Sequence, residues 1–283
     1  MSVRNNEERF GAHGNAGSEA PPHMPNPMDF VTPTEYIDLP SKGKMYPEGH
    51  PLHNQDCLEI RFMTAKSEDI LTSRTLLKKG IALDRLIDNL IVDKRIKAST
   101  LLTGDRNAIV ISARSSAYGS LYETKVACPS CGEAADHSFN LEEPRVYHGD
   151  VWGEYEIAPT GRGTYNIKMP ISGLIVEIRL LNGEDEIKLV QRLQKSSKNK
   201  NAPDNTLSDQ MRAFIVSVNG YSDFKVVDHV VKNITAAESR YLRNCYKAVN
   251  PDLKITDEFE CLSCGHEQEL EVPFGADFFW PDR

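Results

Sequence analysis

The sequence predicts an α+β fold: a helical N-terminal part joined to a ribbon split between two distant cysteine elements, with a mixed strand–helix insertion between them. Three observations carry this reading. CPSCG at 128–132 and CLSCG at 261–265 repeat one ligand spacing and one following glycine, with 129 residues between Cys131 and Cys261. Apolar residues recur at helical spacing before the first element and again within the interval. Between them EYEIAP, TYNIKM and LIVEIRLL read as strands of a small antiparallel sheet, with Gly161, Gly163 and Gly173 marking changes of direction.

Size and composition bound the function. At 283 residues the chain can build one substantial core or two modest ones. Its 40% apolar and 26% charged composition fits a folded soluble protein. No apolar run reaches the roughly 20 residues of a membrane span, and the polar opening MSVRNNEERFGAHG lacks a signal peptide's apolar stretch, so an intracellular origin and no membrane partner are expected. A net charge of -8 argues against broad attraction to nucleic-acid phosphates. Lys195, Lys198 and Lys200 are the best local support for such binding, and no aromatic–basic alternation accompanies them.

Residues 1–34, rich in Gly, Pro, Asn and Glu, read as a flexible arm, and 35–57 as an extended partner-contact segment laid over this fold or another. A helical core and the first cysteine element occupy 58–145. LEIRFM alternates like a strand; Thr64 or Ser67 caps a helix that stops at Gly80, and Leu83, Leu86, Ile87, Leu90 and Ile91 form the next helical face. In LLTGDRNAIVISARSSAYGSLYETKVACPSCG, Asp105 caps a helix with the face Ile109, Val110, Ala113 and Ala117, Gly119 ends it, and LYETKV is a strand feeding the cysteine turn.

The insertion, 146–254, adds three helices to its strands. One runs from Glu184 to Lys195 with Ile187, Val190 and Leu193 on one side. The second, opened by Thr206 and Asp209, carries Met211, Phe214, Ile215 and Val218; the third, opened by the capping box Thr235-x-x-Glu238, carries Leu242, Cys245, Tyr246 and Val249. The last region, 255–283, holds the second cysteine element and an aromatic C-terminus with Phe274, Phe278, Phe279 and Trp280, read equally as core or as a docking anchor.

Two CxxC turns can each aim two sulfurs at one ion, so Cys128, Cys131, Cys261 and Cys264 read as a closed tetrahedral set for one structural zinc per chain. Four protein ligands leave no position open for substrate or activated water. His137 and His266 read as neighbours outside the ligand set, and Cys57 and Cys245 as core thiols. No phosphate loop, HExxH or GxSxG motif is present, Asp105 and Arg106 read as a cap and an ion pair, and Arg114, Tyr118 and Tyr122 fit a core edge, a subunit contact or a ligand equally. No active site assembles from these pieces, so no enzyme is expected.

The stretches LPSKGKMYPEG, LEIRFMTAKSEDILTSRTLLKKG and above all TGDRNAI, AR, AYG, Y and CPSCG resemble the baseplate hub and hub-assembly proteins of contractile-tailed, T-even-like bacteriophages. The resemblance is clear over about 34–145 and looser beyond. Its pattern falls on Gly104, Asp105, Arg106, Asn107, Arg114, Tyr118, Gly119, Tyr122, Cys128 and Cys131. It implies a virion component of the tail baseplate, assembled in the host cytoplasm beside hub or wedge proteins, with self-association open. A transient assembly chaperone absent from the virion is the alternative, and a nucleic-acid-binding zinc module the more distant one.

Overall fold

The computed structural model describes residue 28 and residues 30–197, 205–272 and 276–279, without the side chains of 193–197, 276 and 277. Most of the expected arm (residues 1–27 and 29), the side chains of Leu193 and Lys195, and Lys198, Lys200, Phe274 and Trp280 therefore lie outside the described residues, while the arm's last residue, Thr34, opens the first strand. The chain divides into two units, Met1–Thr32 and Pro33–Arg283; everything below concerns the second. No described helix is long and apolar enough to cross a membrane.

The segment opening this unit packs on its own fold. Strand β1 (Thr34–Asp38) pairs antiparallel with β2 (Cys57–Arg61), from Thr34 opposite Arg61 to Asp38 opposite Cys57. The turns between them bury Leu39, Tyr46 and Leu52. Gly43 is required there: its φ is +67°, and a Cβ would overlap the backbone of Gln55 and Leu52. Leu58 and Ile60 face the core as their alternation predicts, whereas Phe62 lies beyond the strand and is 37% exposed.

The single helix expected up to Gly80 is two, α1 (Ala65–Thr72) and α2 (Arg74–Lys79), divided at an extended Ser73. Gly80 ends α2 in the left-handed region that glycine tolerates. Next come α3 (Ala82–Leu90), which buries Leu86, Ile87 and Leu90, and the central helix α4 (Thr103–Tyr118). Helix α4 is buried on more than the predicted face: Asp105, Arg106 and Arg114 are enclosed along with Ile109, Val110, Ile111 and Ala113, while Ala117 is exposed. Two expectations fail here. Ala117 falls in a last turn that leaves the core, and Asp105 is not the cap, because the helix begins before it and its carboxylate is used elsewhere.

After the hairpin β3 (Leu121–Ala127) and β4 (Ala134–Asn140), β5 (Arg145–Tyr147) pairs with β10 (Asp252–Lys254), so the interval between the cysteine pairs leaves and returns at one place, with Val146 opposite Leu253. Inside it lies an antiparallel sheet in the order β6 (Ile157–Pro159), β7 (Thr164–Lys168), β8 (Ile175–Arg179), β9 (Ile215–Val218). Helix α5 (Gly183–Ser197) follows β8, α6 (Thr206–Phe214) leads into β9, and α7 (Phe224–Asn233) and α8 (Ala236–Val249) cover the module.

Strand β9 corrects the expected helix through Val218. Met211, Phe214, Ile215 and Val218 are all buried, as the helical pattern requires, but the chain straightens at Ile215. The β-branched residues Ile215, Val216 and Val218 suit a strand, and the open edge of β8 offers hydrogen bonds that a longer helix would forgo. Asp209 likewise caps nothing: α6 follows Asn205, and Asp209 binds Arg212 at 2.8 Å.

Thr235 caps α8 by accepting from the Glu238 amide at 3.2 Å. The Glu238 side chain turns away from the cap to the neighbouring sheet. Its buried Oε1 accepts from the amides of Ile171 and Ser172 and from Ser172 Oγ, at 3.0, 2.7 and 2.8 Å, fixing the turn between β7 and β8. The apolar core is continuous across these parts, from Leu39 and Ile60 through α4 to Tyr165, Phe214 and Cys245.

Candidate metal centre

The first cysteine element lies in the turn of the β3–β4 hairpin, and the second in the turn of β11 (Thr256–Glu260) with β12 (Glu267–Glu271). The two turns have the same backbone bonds. Cys128 donates its amide to the Glu133 carbonyl and accepts from the Gly132 amide, each at 2.8 Å; Cys261 donates to His266 at 2.9 Å and accepts from Gly265 at 2.8 Å. Gly132 and Gly265, with φ of +78° and +68°, supply the left-handed step that lets each chain turn back beneath its sulfurs.

This geometry brings the four predicted sulfurs together. All lie within 4.8 Å of one another, with Cys128 Sγ 3.7 Å from Cys264 Sγ and Cys131 Sγ 3.7 Å from Cys261 Sγ. A disulfide needs about 2.05 Å, whereas metal–sulfur bonds of about 2.3 Å in a tetrahedron set sulfurs about 3.8 Å apart. The cluster thus has the spacing to hold one metal ion, and the ligands alternate between buried Cys128 and Cys261 and exposed Cys131 and Cys264.

The protons on these thiols are unevenly shared. The amide of Cys131, assisted by that of Ser130, holds the Cys128 thiol down at about 6 against its burial. At Cys131 the Glu133 amide also favours the thiolate, but the thiols of Cys264, Cys128 and Cys261 crowd it up to about 12. A cation bound among the four would displace those protons. Phe259 packs under Cys128 and Cys261 with Val126, Ala135 and Leu270 at its side, giving the site a small core of its own.

Neither histidine joins the sulfurs. His137 stands edge-on to Phe139 and Phe259 and lies 3.4 Å from Asp257, while His266 reaches Gln268 at 3.3 Å. Cys245 is sealed in the main core, where burial raises its thiol to about 11, and Cys57 is half-buried in β2.

The TGDRN segment at the start of α4 gathers other parts of the chain. Thr103 Oγ1 donates to Glu186 at 2.7 Å, and Gly104 lies so close to Pro251 that a Cβ would overlap its carbonyl oxygen. The fully buried Asp105 accepts from Ser41 N at 3.0 Å, Ser41 Oγ at 2.6 Å and Tyr46 Oη at 2.7 Å. Arg106 bonds Asp84 at 2.6 Å and the Ala98 carbonyl at 2.8 Å, and lies 3.3 Å from Glu186. Asn107 reaches Asp252 at 3.3 Å. Sequence reasoning read Asp105 and Arg106 as cap and ion pair; the ion pair is present, but Ser41 and Tyr46 were missed as partners of Asp105 because nothing local marks a contact spanning 64 positions.

Arg114 is the second hub of α4. Its guanidinium lies 5.1 Å from the Tyr118 ring and 5.9 Å from the Tyr122 ring, and it donates to the carbonyls of Gly119 at 3.2 Å and Phe278 at 3.3 Å. Phe278 and Phe279 are 1% and 2% exposed, and Phe278 packs 4.9 Å from Tyr122. These two aromatics therefore close the protein's own core.

A family model described as T4 bacteriophage base plate protein matches residues 34–280. The chain belongs to that family. Membership assigns it a structural place in the baseplate of a phage tail, among other baseplate proteins. Searches of curated proteins and of solved structures each returned no match.

Proposed function

We propose that this baseplate family member is a structural component retained in the mature virion, held together by one zinc ion and contacting hub or wedge proteins. The observation that carries the reading is the family match over residues 34–280, joined to a four-cysteine cluster with no fifth protein group turned toward it among the described residues. Zinc suits four thiolates, and four protein ligands make it a staple with no coordination position for a substrate. The polar groups of α4 support a non-enzymatic role in the same way: Asp105, Arg106 and Arg114 are each committed to bonds that join segments of the fold.

Mass spectrometry of purified mature particles tests this. The protein should be present at fixed stoichiometry with other baseplate components. Its absence from particles, with presence in assembly intermediates from infected cells, would replace this reading with that of a departing assembly factor.

A further inference from the structure

Two charged features of the surface are left unanswered among the described residues. The β11–β12 hairpin carries Asp257, Glu258, Glu260, Glu267, Glu269 and Glu271 and no lysine or arginine. Its register sets Glu258 opposite Glu269 and Glu260 opposite Glu267, like charges in directly opposed pairs, which weakens an isolated ribbon. Arg145 and Lys254 answer Glu269 and Glu271. Among the described residues no cation answers Glu258, Glu260 or Glu267, and Leu262 in the turn at the ribbon's tip is 94% exposed.

The second feature is a cleft of ≈ 760 Å³ between α5, α6 and α8. Arg240, Arg243 and Lys247, at i, i+3 and i+7, line it from one side of α8, and among the described residues none has an acidic partner. Glu186 also lines the cleft but is engaged by Thr103 and Arg106. The facing wall is apolar, with Leu181, Leu189 and the 52% exposed Leu207. Asn250, also in the lining, keeps a buried side-chain oxygen without a donor.

We propose that the tip of the β11–β12 ribbon of one copy docks in the α5–α6–α8 cleft of a second copy. Three unanswered cations then meet three unanswered carboxylates, and the exposed leucine meets the apolar wall. The spans match: the cations extend over about 10 Å of helix, and Glu258 and Glu260 lie about 7 Å apart along their strand. Because ribbon and cleft are different surfaces of one chain, the contact closes as a reciprocal dimer or a larger ring, or extends into an open string. It concerns the purified chain and stands whether or not the protein remains in the virion.

Sedimentation velocity of the full-length protein over a concentration series is the test. Association should rise with concentration and weaken about tenfold or more at high ionic strength. The variants R240Q/R243Q and E258Q/E260Q should each associate weakly, yet their mixture should form a heterodimer that grows no further, because each supplies one intact half. Exchanging the charges within one chain, R240E/R243E/E258K/E260K, should restore association. Leu262→Asp should weaken it without moving the thermal midpoint. A wild-type chain that stays monomeric throughout, or folded variants that associate like wild type, would overturn the proposal.

Discussion

Ser41 Oγ donates to Asp105 Oδ2 at 2.6 Å, joining the turn after β1 to the first turn of α4. Asp105 also accepts from the Ser41 amide and from Tyr46 Oη, so one fully buried carboxylate organises three donors. Asp105→Ala should lower unfolding free energy by about 2–4 kcal/mol, because buried donors lose their acceptor. Burial raises the Asp105 pKa, with Ser41 and Tyr46 opposing, so this group favours the fold most when protonated and less as pH rises through its folded value. Asp105→Asn, which keeps one acceptor oxygen without charge, should fall between alanine and wild type in urea unfolding at neutral pH.

Glu238 has the opposite pH dependence. Burial pushes its carboxyl up, but the amide and hydroxyl of Ser172 and the amide of Ile171 outweigh that and hold it below the ordinary value. Its contribution is therefore complete above the unfolded pKa of about 4.3 and lost as pH falls through the folded one. Glu238→Gln should cost about 1–2 kcal/mol at neutral pH. The difference from wild type in urea midpoints should narrow as pH approaches about 3; a difference independent of pH would remove this account.

Metal removal and cysteine substitution should act alike. Purified protein should contain about one zinc per chain, and a strong chelator should lower its thermal midpoint. Cys128→Ser and Cys264→Ser, one in each turn and 3.7 Å apart at sulfur, should destabilise to a similar extent and abolish the chelator's further effect. Two ions per chain by elemental analysis would mean that the turns bind separately.

Phe278→Ala should cost about 3–5 kcal/mol, the range for emptying a buried aromatic position. Truncation after Gly275 should be worse, since it also removes Phe279 and the carbonyl that Arg114 uses. Differential scanning calorimetry distinguishes this from a docking role, in which the truncated chain would unfold at the wild-type temperature and fail only at incorporation.

Gly104→Ala tests the closeness of α4 to β10. The new methyl would overlap the Pro251 carbonyl oxygen, a backbone atom that cannot rotate aside, and the strain should cost about 1–3 kcal/mol in denaturant unfolding.

The cysteine centre was legible because its signal is chemical: Cys128, Cys131, Cys261 and Cys264 carry the same spacing whatever lies between them. Helical faces were legible where burial is one-sided, as in Leu86, Ile87 and Leu90. Reading failed where tertiary partners decide. Ile215 and Val218 fit a helical stripe and a strand equally, and only the edge of β8 selects the strand. Asp105 resembled a helix cap because acidic groups near helix starts commonly are, whereas its partners Ser41 and Tyr46 carry no local mark. Phe278 and Phe279 could be assigned to the core only once Tyr122 and Arg114 were seen beneath them.

The split between the cysteine turns also sets a clock on synthesis. Cys131 leaves the ribosome 130 residues ahead of Cys261, which at about 5–20 residues per second amounts to roughly 7–26 s. Throughout that delay the first turn can offer an ion only two sulfurs, so the nascent chain carries an unclosed dithiol. Completion of the four-cysteine set thus reports that translation has passed the second turn.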